Sequence, residues 1–245
     1  MKISVITPSI RREGLEIVAK ALDNQQFDGK FEWLIGSPFK PDVGSWIKDD
    51  FKDGYWTLNR IYNRLFEKAK GELVVSLQDN IWVPPDGLQK FWDAYEENPR
   101  SLISGVGDQY EKFENGRPMV KIWADPRKTN KYGSFYECLW NDCEWNWAAI
   151  PKAAWQSVGG MDERLDFLGY GGDQLQFCDR LDDQRLFKFY LDQDNESFTM
   201  RHGREAHGGQ ENWDKNHVLF NEKYTERKTE LIKKKQWPVL VDFGR

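Results

Sequence analysis

Strand-like and helix-like segments alternate over the first 98 residues, and this alternation limits the folds that the chain can adopt. Three short apolar or β-branched runs predict buried strands, at residues 3–7, 31–35 and 73–77. Three segments repeat apolar side chains at helical spacing and predict amphipathic helices, at residues 14–24, 57–70 and 85–98. A chain that alternates in this way builds a mostly parallel sheet with helices on both faces. We therefore predict an α/β fold.

The second half of the chain has a less regular pattern. A strand is predicted at residues 102–106, followed by a long irregular region at 107–147, and such regions usually carry function. Further on, the pattern predicts helices at 151–158 and 173–181, strands at 187–191 and 197–200, and a charge-rich helix at 216–235. A length of 245 residues suits one large domain. We predict a domain over 1–210, in two halves at 1–100 and 101–210, followed by a C-terminal helix and tail at 211–245.

Charge and cysteine content exclude some classes of function. The net charge of −5 argues against broad electrostatic binding to nucleic acid. No leader-like segment and no apolar run of about 18 residues is present, so we expect a soluble, cytoplasmic protein. Three cysteines with no Cys-x-x-Cys pair indicate reduced thiols and argue against a zinc site with these ligands.

The strand predicted at residues 73–77 ends abruptly in Gln78, Asp79 and Asn80. In open α/β sheets, ligands bind at the carboxyl ends of the strands, where Asp79 is expected to lie. Mg2+ and Mn2+ prefer oxygen ligands and often take one or two carboxylates together with substrate phosphates. Asp79 is therefore a candidate metal ligand. The alternative is a carboxylate that only caps the turn after the strand.

Two later segments carry further candidates. Asp173 follows a glycine-rich stretch and begins a predicted helix, where it can cap free amides or accept a proton from a hydroxyl in a cleft. His202 and His207 lie in a glycine-containing loop after a predicted strand, and imidazole is a ligand for Mn2+ or Zn2+. A spacing of five does not place both histidines on one helix face, so one of them is the expected ligand. A plain N-cap and surface histidines are the alternatives.

In their order and spacing these features resemble the GT-A glycosyltransferases, most closely the family 2 type, over roughly residues 2–225. The segments that carry the resemblance are the opening run at 3–9, Asn63 ahead of Ala69-Lys70-Gly71, Asp79 at the last position of an Asp-x-Asp motif, Gly159-Gly160-Met161-Asp162-Glu163, Gly172-Asp173-Gln174 with Arg180 and Leu181, and His202 or His207.

The resemblance implies a GT-A (Rossmann-like) fold and transfer of a sugar from a nucleotide-diphosphate donor, with a UDP-sugar favoured. It implies that residues 1–100 bind the donor and residues 101–210 the acceptor. A Mn2+ or Mg2+ ion would be held by Asp79 with His202 or His207, and would stabilise the leaving diphosphate. In inverting members a carboxylate removes the proton of the acceptor hydroxyl, and Asp173 takes that role here. The donor-contacting positions are Thr7, Pro8, Ser9, Arg11, Ser37, Asn63, Gln78 and Asp79.

Three departures from the family pattern affect what the resemblance implies. Leu77 stands where the motif has its first Asp, so the site carries fewer charges. The second strand reads Leu-Ile-Gly-Ser at 34–37 and lacks an acidic pair at the base-binding end, which leaves the nucleotide base open. Gln174 occupies the usual base position, and an amide is not a general base. Asp173 is therefore favoured as the base with inversion, while a retaining mechanism stays open.

The acceptor side is predicted from aromatic residues. Trp145 and Trp147 flank Asn146, and large rings can stack on a sugar or a base or can pack in the core. With Gly172 they form the predicted acceptor site. The acceptor is a hydroxyl of a glycan, a protein, a lipid carrier or a modified nucleobase. Alternative functions are a non-catalytic sugar- or nucleic-acid-binding module and a nucleotidyltransferase of related fold, although residues 9–14 are poor in glycine for a triphosphate loop.

Overall fold

The computed structural model describes residues 1–50, 57–114, 116–129, 131–167 and 173–201. Within these ranges ten strands form one mixed sheet: β1 (Ile3–Pro8), β2 (Phe31–Ser37), β3 (Ser45–Lys48), β4 (Leu73–Leu77), β5 (Ile81–Trp82), β6 (Ser101–Glu114), β7 (Arg117–Trp123), β8 (Phe135–Cys138), β9 (Trp147–Pro151) and β10 (Lys188–Met200). The α-helices of the same ranges are α1 (Glu13–Asp23), α2 (Leu58–Lys68), α3 (Gly87–Glu97), α4 (Lys152–Ser157) and α5 (Asp173–Gln184). None of these helices has the length and apolar character needed to cross a bilayer.

The strand order is β3-β2-β1-β4-β9-β6-β10-β5, with β7 paired to β6 and β8 paired to β10. The pairings make β1 to β4, β6 and β10 run in one direction, which is six of the ten described strands, while β5, β7, β8 and β9 run in the other. The predicted α/β class, with a mostly parallel sheet flanked by helices, is confirmed.

Helices cover both faces of the sheet because side chains of successive strand residues point to opposite sides. In β1, Ile3 and Val5 pack in one core cluster, together with α1 and α3. Ile6 packs in the other cluster, together with α2, α4 and α5. The strand β4 divides in the same way, with Leu73 and Val75 on the α1 side and Val74 on the α2 side. The central strands are therefore buried on both faces, as their continuous apolar runs predict.

The prediction of an irregular region at residues 107–147 is wrong in part. β6 continues to Glu114 and returns as β7, and β8 and the start of β9 also lie in this stretch. The outer part of β6 and β7 is exposed, so its charged side chains hide the period-2 pattern that identifies a half-buried strand. The sequence reading also missed β3 and β5, and the two late strands are one strand, β10, with a register shift between Asp192 and Glu196. The predicted helix and tail at 211–245 lie outside the described residues.

Candidate functional site

The candidate site begins at the edge of the sheet where β1 and β4 end. These two strands are parallel neighbours, with Ile3 opposite Leu73 and Ile6 opposite Ser76, so the residues after each strand meet at the same edge. The hydroxyl of Ser9 lies 2.6 Å from Asp79 Oδ2 and donates to it. The strand register thus brings together two residues that are 70 positions apart in the chain.

Asp79 is buried, with 8% of its surface exposed, and both of its carboxylate oxygens are in contact with donors. Arg11 Nη1 lies 3.1 Å from Oδ1 and 3.4 Å from Oδ2, which makes an ion pair. Asn80 Nδ2 donates to Oδ1 at 3.2 Å. The turn after β4 is itself fixed, because the Asn80 amide donates to the Gly14 carbonyl and its φ of 62° lies in the left-handed region that asparagine tolerates.

The side chains that the structure describes around Asp79 do not fit a divalent cation. Hard cations need several oxygen ligands, and here one carboxylate is paired with the guanidinium of Arg11. No group of three or more His, Cys, Asp or Glu side chains suited to a metal ion is found in the part of the chain that the structure describes. His202 and His207, the other predicted ligands, lie outside the described residues, as does Gly172 of the predicted acceptor site.

A second carboxylate lies close by. Asp173 begins α5, is buried, and accepts a hydrogen bond from Asn59 Nδ2 at 2.5 Å. The hydroxyl of Tyr62 lies 3.0 Å from Ser76 Oγ. Burial raises the pKa of Tyr62 to about 12, and the negative charges of Asp173 and Asp79 add to this shift. Tyr62 thus ties α2, which carries Asn59 and its bond to Asp173, to the strand β4 that leads into Asp79.

Asp166 holds Asn59 in place at the start of α2. The Asp166 carboxylate accepts the backbone N–H groups of Asn59 at 2.9 Å and Arg60 at 3.0 Å, and also Asn59 Nδ2 at 2.9 Å. These amides are free donors of the first helical turn, so Asp166 caps α2 from a distant part of the chain. Sequence reasoning missed Asn59 and Asp166, because nothing local shows that the segment before α5 meets the start of α2.

Asn63, predicted to contact the nucleotide, uses its whole side chain within the fold. Its Nδ2 donates to the Met161 carbonyl at 3.0 Å and to Glu163 Oε1 at 2.9 Å. Its Oδ1 accepts from Trp155 Nε1 at 3.1 Å and from the Met161 amide at 2.7 Å. An amide side chain has two donor hydrogens and two acceptor positions. We therefore correct the donor-contact prediction for Asn63, which instead joins α2 to the turn around Met161.

The remaining predicted donor contacts lie at the strand ends. Thr7 is fully buried, and its Oγ1 accepts from Trp33 Nε1 at 2.9 Å. Ser37 is also buried, and its hydroxyl donates to the Phe39 carbonyl at 2.5 Å. Pro8 ends β1, next to Ser9. The half-buried Gln78 follows β4, and its amide donates to the Asn146 carbonyl at 3.0 Å. These residues lie at the same edge of the sheet as Asp79, with Thr7 and Ser37 enclosed within the fold.

The acceptor-stacking prediction is wrong for Trp145 and Trp147, because neither ring has an open face. Trp145 is fully buried, and its ring centroid lies 4.9 Å from Phe177 and 5.3 Å from Tyr62. Trp147 is 1% exposed and packs 4.6 Å from Phe91 on the other side of the sheet. Asn146, between them, is exposed and lies at the site edge, because β9 runs antiparallel to β4 and begins where β4 ends.

Gln174, at the position where the family pattern places the base, has a structural contact. Its Oε1 accepts from the backbone amide of Trp145 at 3.1 Å. This bond ties the start of α5 to the segment that leads into β9. The neighbouring Asp173 carboxylate is bonded to Asn59.

No protein-family model matches the chain, and no curated protein matches it. Among solved structures, the chain is similar to residues 1–349 of S. aureus TarS, with 15% identity and a TM-score of 0.57, over 82% of this chain and 60% of that one. It is also similar to the same TarS segment in complex with UDP-GlcNAc, with 15% identity and a TM-score of 0.58, over 84% of this chain and 60% of that one. The chain thus spans less than two thirds of the TarS structures, and the likeness shows a shared fold.

Proposed function

We propose that the chain is a glycosyltransferase that moves a sugar from a nucleotide-diphosphate donor, with a UDP-sugar favoured, to an acceptor hydroxyl. One observation carries this proposal. Two buried carboxylates converge near the start of α2: Asp173 accepts a hydrogen bond from Asn59, and Asp79 follows β4, whose Ser76 is hydrogen-bonded to Tyr62 one turn further along the helix. One of them is paired with an arginine and the other is bonded to an amide, so the two have different environments.

The donor end of the site is proposed to be the edge formed by Ser9, Arg11 and Asp79. It lies outside the carboxyl ends of β1 and β4, the usual ligand position in an open α/β sheet. The shared fold with a TarS structure that contains UDP-GlcNAc supports a UDP-linked donor. Gln78 and Asn146, joined through their backbones, would border the donor on the side of β9.

The transfer step is assigned to Asp173 as general base. Its carboxylate takes the proton of the acceptor hydroxyl while the acceptor oxygen bonds to the anomeric carbon, and the bond from that carbon to the diphosphate oxygen breaks. The products are the glycosylated acceptor and the nucleoside diphosphate, with inversion at the anomeric carbon. The bond from Asn59 to Asp173 orients the carboxylate that performs this step.

Other parts of the sequence expectation stay predictions. Metal dependence, expected from Asp79 with His202 or His207, is not part of this proposal, because the described side chains around Asp79 do not fit a divalent cation and the two histidines lie outside the described residues. The acceptor class, the division into a donor half and an acceptor half, and a cytoplasmic location are proposals that need their own experiments.

The proposal is tested with Asp173→Asn, which keeps the shape of the side chain and removes the base. Incubation with a panel of UDP-sugars should show UDP release by the wild type, slowed by about 10²- to 10⁴-fold in the variant. Binding of UDP, measured by calorimetry, should change little, because Asp173 contacts the acceptor and not the diphosphate. Asp183→Asn, an exposed carboxylate on the same helix, is the matched control and should keep the wild-type rate.

A wild-type rate in Asp173→Asn would remove that residue from the chemistry. A chain that binds free glycans but shows no thermal stabilisation by any nucleoside diphosphate or nucleotide sugar would instead be a binding module.

A further inference from the structure

We propose that Arg11, held by Asp79, is the cation that binds the donor's diphosphate, so that donor binding needs no divalent metal ion. This inference rests on the proposed function and names the group that provides the positive charge in its donor site. It departs from the metal-dependent site implied by the sequence resemblance, because an arginine occupies the carboxylate that the metal would need.

Arg11 is held at both of its ends. Its backbone N–H donates to Ser9 Oγ at 3.0 Å, and its guanidinium pairs with Asp79 through Nη1. Ser9 closes the ring of contacts, since its hydroxyl lies 2.6 Å from Asp79 Oδ2. A long side chain fixed in this way loses little conformational entropy when it binds a ligand, which favours a binding role.

The guanidinium keeps free donors on its open side. Within the described residues the hydrogen bonds of the guanidinium all come from Nη1, so Nη2 and Nε make none there. The side chain is 22% exposed, whereas that of Asp79 is 9% exposed, so the arginine is the more accessible partner of the pair. A guanidinium presents its donors in a planar fork that matches two phosphate oxygens. The remaining donors of Arg11 are therefore suited to a diphosphate.

The charges around the site require a cation at this place. Asp79 alone would repel a diphosphate, and α1, which begins just after Arg11, has Glu13 and Glu16 in its first turn. These acidic side chains offset the positive end of the helix dipole, so the helix start is a poor anion site by itself. A metal ion bound to Asp79 would lie next to the guanidinium and be repelled by it. Arg11 supplies the charge without that conflict.

The test measures UDP binding to the full chain by calorimetry, in EDTA and separately in MnCl2. We expect UDP to bind in EDTA, with a dissociation constant that Mn2+ changes by less than about twofold. Arg11→Gln should weaken UDP binding by about 10- to 100-fold in both buffers, the usual effect of losing charge-assisted hydrogen bonds. Arg11→Lys should recover part of the affinity, because it restores the charge without the fork.

Arg12→Gln is the matched control. Arg12 is the next residue, and its guanidinium contacts the Lys40 carbonyl and the ring of Phe39 and not Asp79. It should change UDP affinity by less than about threefold. Because Arg11→Gln leaves Asp79 without its cation, the double variant Arg11→Gln/Asp79→Asn removes both charges and should fold, yet still bind UDP weakly.

UDP binding that appears only with Mn2+, and that Arg11→Gln leaves unchanged or strengthens, would overturn the inference while the proposed function stands. An absence of UDP binding by the wild type in both buffers would overturn the inference and the proposed function together.

Discussion

At the scale of single residues, the fold around the site depends on polar side chains whose partners lie far away in the chain. Asn63 is the clearest case, because the four hydrogen bonds of its side chain go to residues at least 92 positions away. The turn that it holds includes Gly160, which has a φ of 82° and whose added Cβ would lie 2.7 Å from Asn63 Oδ1. Only glycine meets both the backbone and the space requirement there.

The variant Asn63→Asp tests this structural role. It replaces the amide donor with a carboxylate oxygen that faces the Met161 carbonyl and the Glu163 carboxylate. We expect a loss of about 2–4 kcal/mol in the free energy of unfolding, since two donor bonds become repulsive contacts. Urea unfolding measures this loss. Asn24→Asp, at an exposed helix end, should cost less than about 1 kcal/mol. Equal losses in the two variants would contradict the role given to Asn63.

At the scale of elements, helix ends and strand irregularities decide how the site is held. Asp166 caps α2, and α2 carries both Asn59 and Tyr62 to the site. The register shift in β10 between Asp192 and Glu196 buries Asp192 at a place where the strand pairing is broken. Each of these features leads to a stability prediction.

Asp166→Ala should destabilise the protein by about 1–2 kcal/mol, the usual cost of losing an N-terminal helix cap. It should also slow sugar transfer, because Asn59 would no longer be fixed against Asp173. Urea unfolding and UDP release measure the two effects. Asp93→Ala, an exposed carboxylate on α3, is the control and should be close to neutral. A neutral Asp166→Ala variant would show that α2 needs no cap from this segment.

Asp192 gives a prediction of pH dependence. Burial raises the pKa of Asp192 to about 6 from the ordinary 3.8, so the folded state holds its proton more tightly than the unfolded state. The stability from this group is fully present below pH 3.8 and is lost as the pH rises through 6. Asp192→Asn should therefore stabilise the protein at pH 8 by about 2–3 kcal/mol relative to its effect at pH 4.

Unfolding by urea across this pH range checks the Asp192 prediction. The exposed Asp194→Asn, two residues away, changes the net charge equally and serves as the reference. The same pH dependence in both variants would show that net charge, and not burial of Asp192, is the cause.

At the scale of the whole molecule, the two faces of the sheet form two separate cores. The larger core lies on the side of α2, α4 and α5 and contains all three cysteines, none of which is in a disulfide. Burial raises the pKa of each thiol, to about 12 for Cys143 and well above the usual value for Cys138 and Cys178. All three thiols are therefore enclosed in this core.

Thiol reactivity should therefore report global opening of the protein. A thiol needs both access and deprotonation to react, so a disulfide reagent should modify none of the three cysteines in the native state. All three should react after unfolding in urea. Release of the reagent's coloured thiolate measures the count, and Asp183→Cys supplies an exposed reference thiol. Fast modification of one native cysteine in the wild type would show that this core opens locally.

Much of the scaffold could be predicted because its signals are local. The amphipathic segments predicted at 14–24, 57–70 and 85–98 correspond to α1, α2 and α3, with ends that differ by one to two residues. The fully buried β1 and β4 were recognised from their apolar runs. The hairpin of β6 and β7 was missed because its outer residues face solvent and do not pack on a core. Its sequence therefore lacks the period-2 alternation that identifies a strand.

The sequence by itself determined the α/β class and the position of Ser9, Asp79 and Asp173 at element ends, because hydrophobic period and turn chemistry act over a few residues. Only the tertiary structure decided which of these side chains contact each other. Arg11 meets Asp79 across 68 residues, and Asn59 meets Asp173 across 114. Strand order and helix packing bring these residues together, since β4 lies between β1 on one side and a later strand, β9, on the other. For the same reason, two tryptophans next to the site became part of the core.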